Sequence, residues 1–171
     1  GTKGVVAKIL PEGYRPVLDR KETQLALSAV KRFIEDGLCL ELNLFHVEVP
    51  LIVTRESGVN DYLDRDGSRT PIEFPCGLGL DKRLNGQVVQ AATKWKRMAL
   101  KQFDCAVGEG ICTDMRAVRK DYFLDHDHSA YVDQWDWEKR ITAADRNLGT
   151  LVDTVRGIWK VIKGADAFVQ A

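Results

Sequence analysis

The stretch that most narrows the fold is SAYVDQWDWEK, Ser129–Lys139. Alternate residues of a β-strand share a face. Tyr131, Asp133, Trp135 and Trp137 therefore point one way, and Val132, Gln134 and Asp136 point the other. The aromatic face predicts a strand laid against a core. The opposite face sets an amide beside a carboxylate. Such a pair holds an amino acid when the carboxylate takes its ammonium and the amide completes the hydrogen bonds. From periodicity alone, a solvated strand face fits as well.

The rest of the chain supplies neighbours for that strand. Ile111–Val118 predicts a second strand, joined to the first by the charged loop Arg119–His128. Asp19 with Glu22 three residues on reads as a capping box. Ala26, Leu27, Val30, Phe33 and Ile34 continue it as one helical face, and Gly37 predicts the helix end. Leu44–Val53 predicts a strand, interrupted, bulged or at an edge because Pro50 cannot donate to a ladder. Arg55–Arg69 predicts a surface loop, Ile72–Phe74 a short strand, Gly77–Gly86 a loop and Gln87–Gln90 a brief strand. A helix is expected over Thr93–Phe103 and a turn at Gly108–Gly110. The last helix is expected from Thr142, with Asp145 as capping partner. Its buried stripe would be Leu148, Leu151, Val152, Val155, Ile158, Trp159 and Ile162. Gly1–Leu18, rich in glycine and proline, reads as an irregular arm. This order predicts one α+β domain with a largely antiparallel sheet flanked by helices.

Composition removes several function classes. The 25 basic and 25 acidic residues balance, which argues against a dedicated nucleic-acid or membrane-surface binder. No apolar run approaches the ~20 residues of a membrane span, and Gly1–Pro11 lacks the apolar stretch of a signal peptide. The four cysteines, Cys39, Cys76, Cys105 and Cys112, form no CxxC pair and match no zinc spacing. They read as reduced thiols of a cytoplasmic protein. Neither a Rossmann glycine fingerprint nor a P-loop is present, and there is no GxSxG elbow.

Three further groups carry chemistry. Lys94, Lys96 and Arg97 crowd the start of a predicted helix, where the dipole disfavours cations. An anionic ligand, a carboxylate partner or plain solvation would each account for them. Arg119, at the end of a strand, is placed to fork onto a phosphate. The DHDH run Asp125–His128 invites a metal, but nothing nearby completes a ligand set, so no metal is assigned. Asp64–Gly67 (DRDG) echoes a calcium loop without its distal glutamate.

Taken together, ATKWKR (92–97), GEG (108–110) and SAYVDQWDWEK (129–139) resemble ammonia-dependent asparagine synthetase in order and approximate spacing. The weaker matches fit too: Val49–Val53 falls at that family's dimer strand, and VNDYL (59–63) at an acidic residue facing substrate. The resemblance runs from about Asp19 to Ala171. It implies a class II aminoacyl-tRNA-synthetase-like antiparallel sheet, here apparently incomplete, with Gly1–Ala171 forming the N-terminal half of the catalytic domain. The family's second half, with a glycine-rich segment and an arginine that complete the ATP site, has no counterpart in these residues.

The resemblance also implies the roles. ATP with Mg2+ would activate the β-carboxylate of aspartate as an adenylate, releasing pyrophosphate, and ammonia would displace AMP. Arg119 would meet the α-phosphate, and His128 would lie near the nucleotide. Lys96 would neutralise a substrate carboxylate, while Asp61, Gln134 and Asp136 would surround the polar end of aspartate. Asp61 or Asp136 would take the ammonia proton. A cytoplasmic homodimer through Leu44–Val53 is expected, with no nucleic acid and no membrane. Two alternatives stand beside this reading. One is a non-catalytic amino-acid-binding or dimerisation module; the other is a fragment of an aspartyl- or asparaginyl-tRNA synthetase.

Overall fold

The computed structural model describes residues 10–63, 66–122 and 124–171. The first nine residues of the expected arm, the Asp64–Arg65 pair of the DRDG run and Phe123 lie outside them. The class is α+β. In chain order the elements are α1 (Arg20–Leu42), β1 (Leu44–Val47), β2 (Ile52–Thr54), a 3-10 turn (Arg55–Ser57), β3 (Glu73–Cys76), β4 (Leu84–Val88), α2 (Thr93–Gln102), β5 (Gly110–Val118), β6 (Tyr131–Lys139) and α3 (Leu148–Gln170). Two compact units result. One takes the described residues within 1–17, 49–95 and 115–134, the other those within 18–48, 96–114 and 135–171.

The first unit holds a three-stranded sheet ordered β2-β4-β3, antiparallel throughout. Its apolar cluster is Val89, Ala92, Met115 and Ala117, with Val49, Val53 and Val132 packed on it. The expected Leu44–Val53 strand is broken between Val47 and Ile52, around Pro50. The brief strand expected at Gln87–Gln90 lies earlier, at Leu84–Val88, and the strand expected at Ile72–Phe74 ends later, at Cys76.

The second sheet is ordered β1-β5-β6. β1 runs parallel to β5, with Leu44 opposite Gly110 and Val47 opposite Thr113. β6 returns antiparallel: the Thr113 hydroxyl donates to the Asp136 carbonyl, and the Arg119 amide to that of Ala130. Gly110 is required at the start of β5. A Cβ there would stand 2.7 Å from the Lys139 Cα and 2.8 Å from a Leu44 methyl. In the second unit, Leu38, Leu42, Leu44, Cys112 and Val161 form the core, and the half-buried Trp135 and Trp137 pack onto it. The tryptophans of β6 thus face a core as expected, whereas Tyr131 and Asp133 at its start are exposed.

Three helix expectations are corrected. The Asp19–Glu22 capping box forms in both directions, each bond 2.8 Å, but α1 runs past Gly37 to Leu42. It ends at Asn43, whose φ of 56° turns its backbone N–H onto the Cys39 carbonyl as the cap, while its side chain donates to the Gly108 carbonyl. Gly37 instead lets α3 approach: a Cβ there would lie 2.9 Å from a Val161 methyl. The Thr142–Asp145 pair hydrogen-bonds as a box would, yet it closes an isolated turn; α3 begins at Leu148 under an Asn147 cap. The expected buried stripe is largely outside. Leu148, Leu151, Val155, Trp159 and Ile162 are exposed, while Val161 and Ala165 are buried and Phe168 stacks on Phe33 at 4.8 Å. Small residues let α3 meet α1 on a narrower face than the apolar periodicity marks.

Candidate functional site

Lys96 and Asp136, both in the second unit, are brought together. Lys96 shares the inward face of α2 with Ala99, three residues on, and its side chain is only 3% exposed. Its ammonium lies 2.5 Å from Asp136 Oδ1, donates to the Trp137 carbonyl at 3.1 Å and stands 4.0 Å from Glu138 Oε2. Asp136 Oδ1 also accepts the Trp137 amide at 2.9 Å. A cation out of water needs a counter-charge and filled hydrogen bonds, and β6 supplies both. Of the explanations open for the basic turn, Lys96 takes the carboxylate partner. Arg97, mostly exposed, lies 3.7 Å from Glu138.

In the first unit, Arg119 and Asp61 are tied to consecutive carbonyls. Arg119 Nη1 donates to the Gln90 carbonyl at 2.8 Å, and the Asp61 amide to that of Ala91 at 3.4 Å. Among the described residues no carboxylate pairs with Arg119; its guanidinium lies 5.9 Å from the Tyr122 ring centre. Asp61 Oδ1 accepts the Leu63 amide at 3.1 Å. Gln134, half-buried on β6, belongs to this unit too.

His128 is placed elsewhere in the same unit. It is exposed and lies 2.7 Å from Asp125 and 2.8 Å from Asp127. The Asp125 hydrogen bond, then the charges of both aspartates, raise its pKa above the ordinary histidine value. Hydrogen bonds from the neighbours hold Asp125 well below the usual carboxylate range. Asp125, His126 and Asp127 present three possible metal-ligand atoms within 4.8 Å of one another. One Asp125 oxygen is already engaged by His128 and by the Asp127 amide.

Sequence reasoning missed a buried amide cluster. Asn60, Gln87 and Gln90 are 4%, 1% and 4% exposed, although Asn60 lies in the stretch expected as a surface loop. Asn60 Nδ2 donates to Gln87 Oε1 and to the Val88 carbonyl, each 3.2 Å. Its Oδ1 accepts the Gln90 amide at 2.9 Å. Gln87 Nε2 donates to Glu73 at 2.8 Å and to the Tyr62 hydroxyl at 2.9 Å. Glu73 pairs in turn with Arg55 at 2.9 Å. The available signal was two glutamines inside the apolar run of QVVQAA (87–92).

A cavity of about 670 Å³ in the second unit is lined by Leu42, Trp137, Ile141, Leu148 and Leu151, among others, but not by Lys96 or Asp136. No helix among the described residues is long and apolar enough to cross a membrane.

Residues 21–171 match the family described as aspartate-ammonia ligase. A curated protein of Clostridium perfringens named aspartate–ammonia ligase is 44% identical over 162 residues, covering 95% of this chain and 47% of its own length. One of the same name from Levilactobacillus brevis is 43% identical over 155 residues, covering 91% and 45%. The chain thus spans about half the length of the curated relatives it matches. A solved Bacillus halodurans structure, described as an ATP phosphoribosyltransferase regulatory subunit/histidyl-tRNA synthetase, aligns with a TM-score of 0.46 at 16% identity. It covers 87% of this chain and 37% of that one, a likeness too slight to bear on fold or function.

Proposed function

The chain belongs to the aspartate–ammonia ligase family, and on that premise we propose that it forms the N-terminal half of an ATP-dependent ligase making asparagine from aspartate and ammonia. The family match over residues 21–171 carries this reading. A carboxylate is a poor electrophile at neutral pH. Attack by the β-carboxylate of aspartate on the α-phosphorus of ATP expels pyrophosphate and leaves an acyl-adenylate. Ammonia then attacks the acyl carbon, loses a proton and displaces AMP.

The roles follow from the charges. Arg119, held by a backbone carbonyl and with no carboxylate partner among the described residues, offsets charge building on the α-phosphate, and His128 lies near the nucleotide. Lys96 counters a substrate carboxylate and fixes Asp136. Asp136, Gln134 and Asp61 receive the polar end of aspartate, and Asp61 or Asp136 accepts the ammonia proton. Magnesium enters as part of the MgATP substrate. On the same reading these residues belong to a class II synthetase-like catalytic domain with an irregular N-terminal arm, and the enzyme is a cytoplasmic homodimer through Leu44–Val53.

The test is release of AMP and pyrophosphate by a whole ligase carrying this sequence as its first half. Release should require both aspartate and ammonia and ignore added transfer RNA. Charging of transfer RNA would move the assignment to a tRNA synthetase. Aspartate binding without any turnover would leave a binding module.

A further inference from the structure

Gln90 sits where the first unit's hydrogen bonds cross, yet its side-chain oxygen is unsatisfied. Its amide donates to Asn60 Oδ1 at 2.9 Å, and its carbonyl accepts Arg119 Nη1 at 2.8 Å. The next carbonyl, of Ala91, accepts the Asp61 amide. Its side-chain Oε1 is buried and has no hydrogen-bond partner among the described residues. Gln87, three residues earlier, is the internal contrast. Both ends of its amide are engaged, by Asn60, Tyr62 and Glu73. The flanking Val89, Ala91 and Ala92 are buried and apolar, so the segment itself offers Gln90 no side-chain donor. Folded proteins pair nearly all buried polar atoms, and an unmade bond to a buried acceptor is costly. An open acceptor on the residue whose backbone holds Arg119 and Asn60 is explained if a ligand supplies the donor.

We propose that Gln90 is a ligand-binding residue whose side-chain oxygen accepts a hydrogen bond from an N–H donor of the substrates. This rests on the ligase reading. A carbonyl oxygen pairs with neither phosphate nor carboxylate, both of which are acceptors. We assign that donor to an ammonium-type nitrogen, either the α-ammonium of aspartate or the entering ammonia, rather than to the adenine amino group of ATP. The amide that holds Arg119 through its backbone thus reads the nitrogen through its side chain.

Gln90→Met keeps the length and removes the acceptor. In the whole ligase it should leave Tm unchanged or raised, because the orphan oxygen is gone. The KM for aspartate or for ammonia should rise about tenfold, the size of one lost hydrogen bond, with the KM for ATP unmoved. Which of the two KM values rises identifies the nitrogen. Gln90→Glu, which keeps an acceptor, should restore it. Unchanged KM values, or a fall in Tm with all three KM values raised together, would overturn the proposal. A readout independent of turnover is the Gln90 side-chain resonance of this chain as ammonium chloride and aspartate are titrated in. A saturable shift with either supports the assignment even if the wild type makes no asparagine, and no shift with both sinks it.

Discussion

Lys96 and Arg119 are both cations held by backbone carbonyls, yet their surroundings differ. Lys96, in the second unit, is almost wholly buried, and Asp136 neutralises it at 2.5 Å. Arg119, in the first unit, is half-buried, and among the described residues nothing neutralises it. A buried cation with its own counter-charge is part of the fold before it is part of any reaction, because removing either partner strands the other. A cation steadied only by a neutral carbonyl keeps its charge for a ligand. Stability and activity should therefore separate at Arg119 and travel together at Lys96 and Asp136.

The largest effect tests that separation directly. Asp136→Ala should cost about 3 kcal/mol, the low end for a broken buried pair, because the carboxylate is 36% exposed and its loss leaves the buried Lys96 only Glu138, 4.0 Å away, as counter-charge. Denaturant unfolding measures it. Lys96→Ala should cost turnover of the whole ligase at least ~10²-fold, as losing a charge-stabilising donor does, and should lower stability as well. Arg119→Ala should match that loss of turnover while changing stability by less than ~1 kcal/mol, one neutral hydrogen bond at most. An Arg119→Ala protein that melts as early as Asp136→Ala would erase the contrast, and near-normal turnover in Lys96→Ala would end its role.

The amides sharpen the comparison one step down. The first unit builds part of its interior from Asn60, Gln87 and Gln90, where the second uses leucine and tryptophan. Gln87→Leu would strand acceptors and donors on three neighbours, so it should destabilise by about 1–3 kcal/mol despite adding an apolar side chain. A stabilised variant would mean that the network is dispensable. In the second unit the matching probe is Gly37→Ala. It should overpack Val161 by about 1–3 kcal/mol, less the ~1 kcal/mol that alanine returns as a helix former. A net gain would show that α1 and α3 slide apart easily.

What could be read from the chain divides along the same line. The tryptophans of β6 and the capping box at Asp19 were legible because period and cap chemistry are local. The end of α1 was not. Gly37 has the composition of a helix stop, but its role is set by Val161, more than a hundred residues later. The α3 stripe failed for a related reason. Apolar periodicity marks every face that avoids water and does not rank them, and Gly157 and Gly164 chose the contact with α1. Lys96 was legible as a cation in an unfavourable place, but only the fold named Asp136 as its partner. The buried amide of Asn60 escaped because a polar residue in a loop-like sequence gives no sign of being enclosed, while that of Gln87 was marked only by the apolar run it opens.

The smallest expected effect is electrostatic and lies at the surface of the first unit. His128 is bound to Asp125 and Asp127, and its pKa is raised. A raised folded-state pKa means that the folded chain holds the proton more tightly than the unfolded one. Its stabilisation is complete below the ordinary histidine value of ~6.5 and is lost as pH rises through the raised value. Asp125 works in the opposite sense: its pKa is lowered, so its contribution is present above ~3.9 and fades as pH falls. Between those limits both ends of the pair are charged. A histidine ring-proton titration should therefore place His128 above 6.5, and Asp125→Asn should bring it back toward that value with little change in Tm. Surface pairs contribute little to stability, so a large loss of Tm in Asp125→Asn would mean that this loop, unlike the Lys96–Asp136 pair, has been wrongly taken as peripheral to the fold.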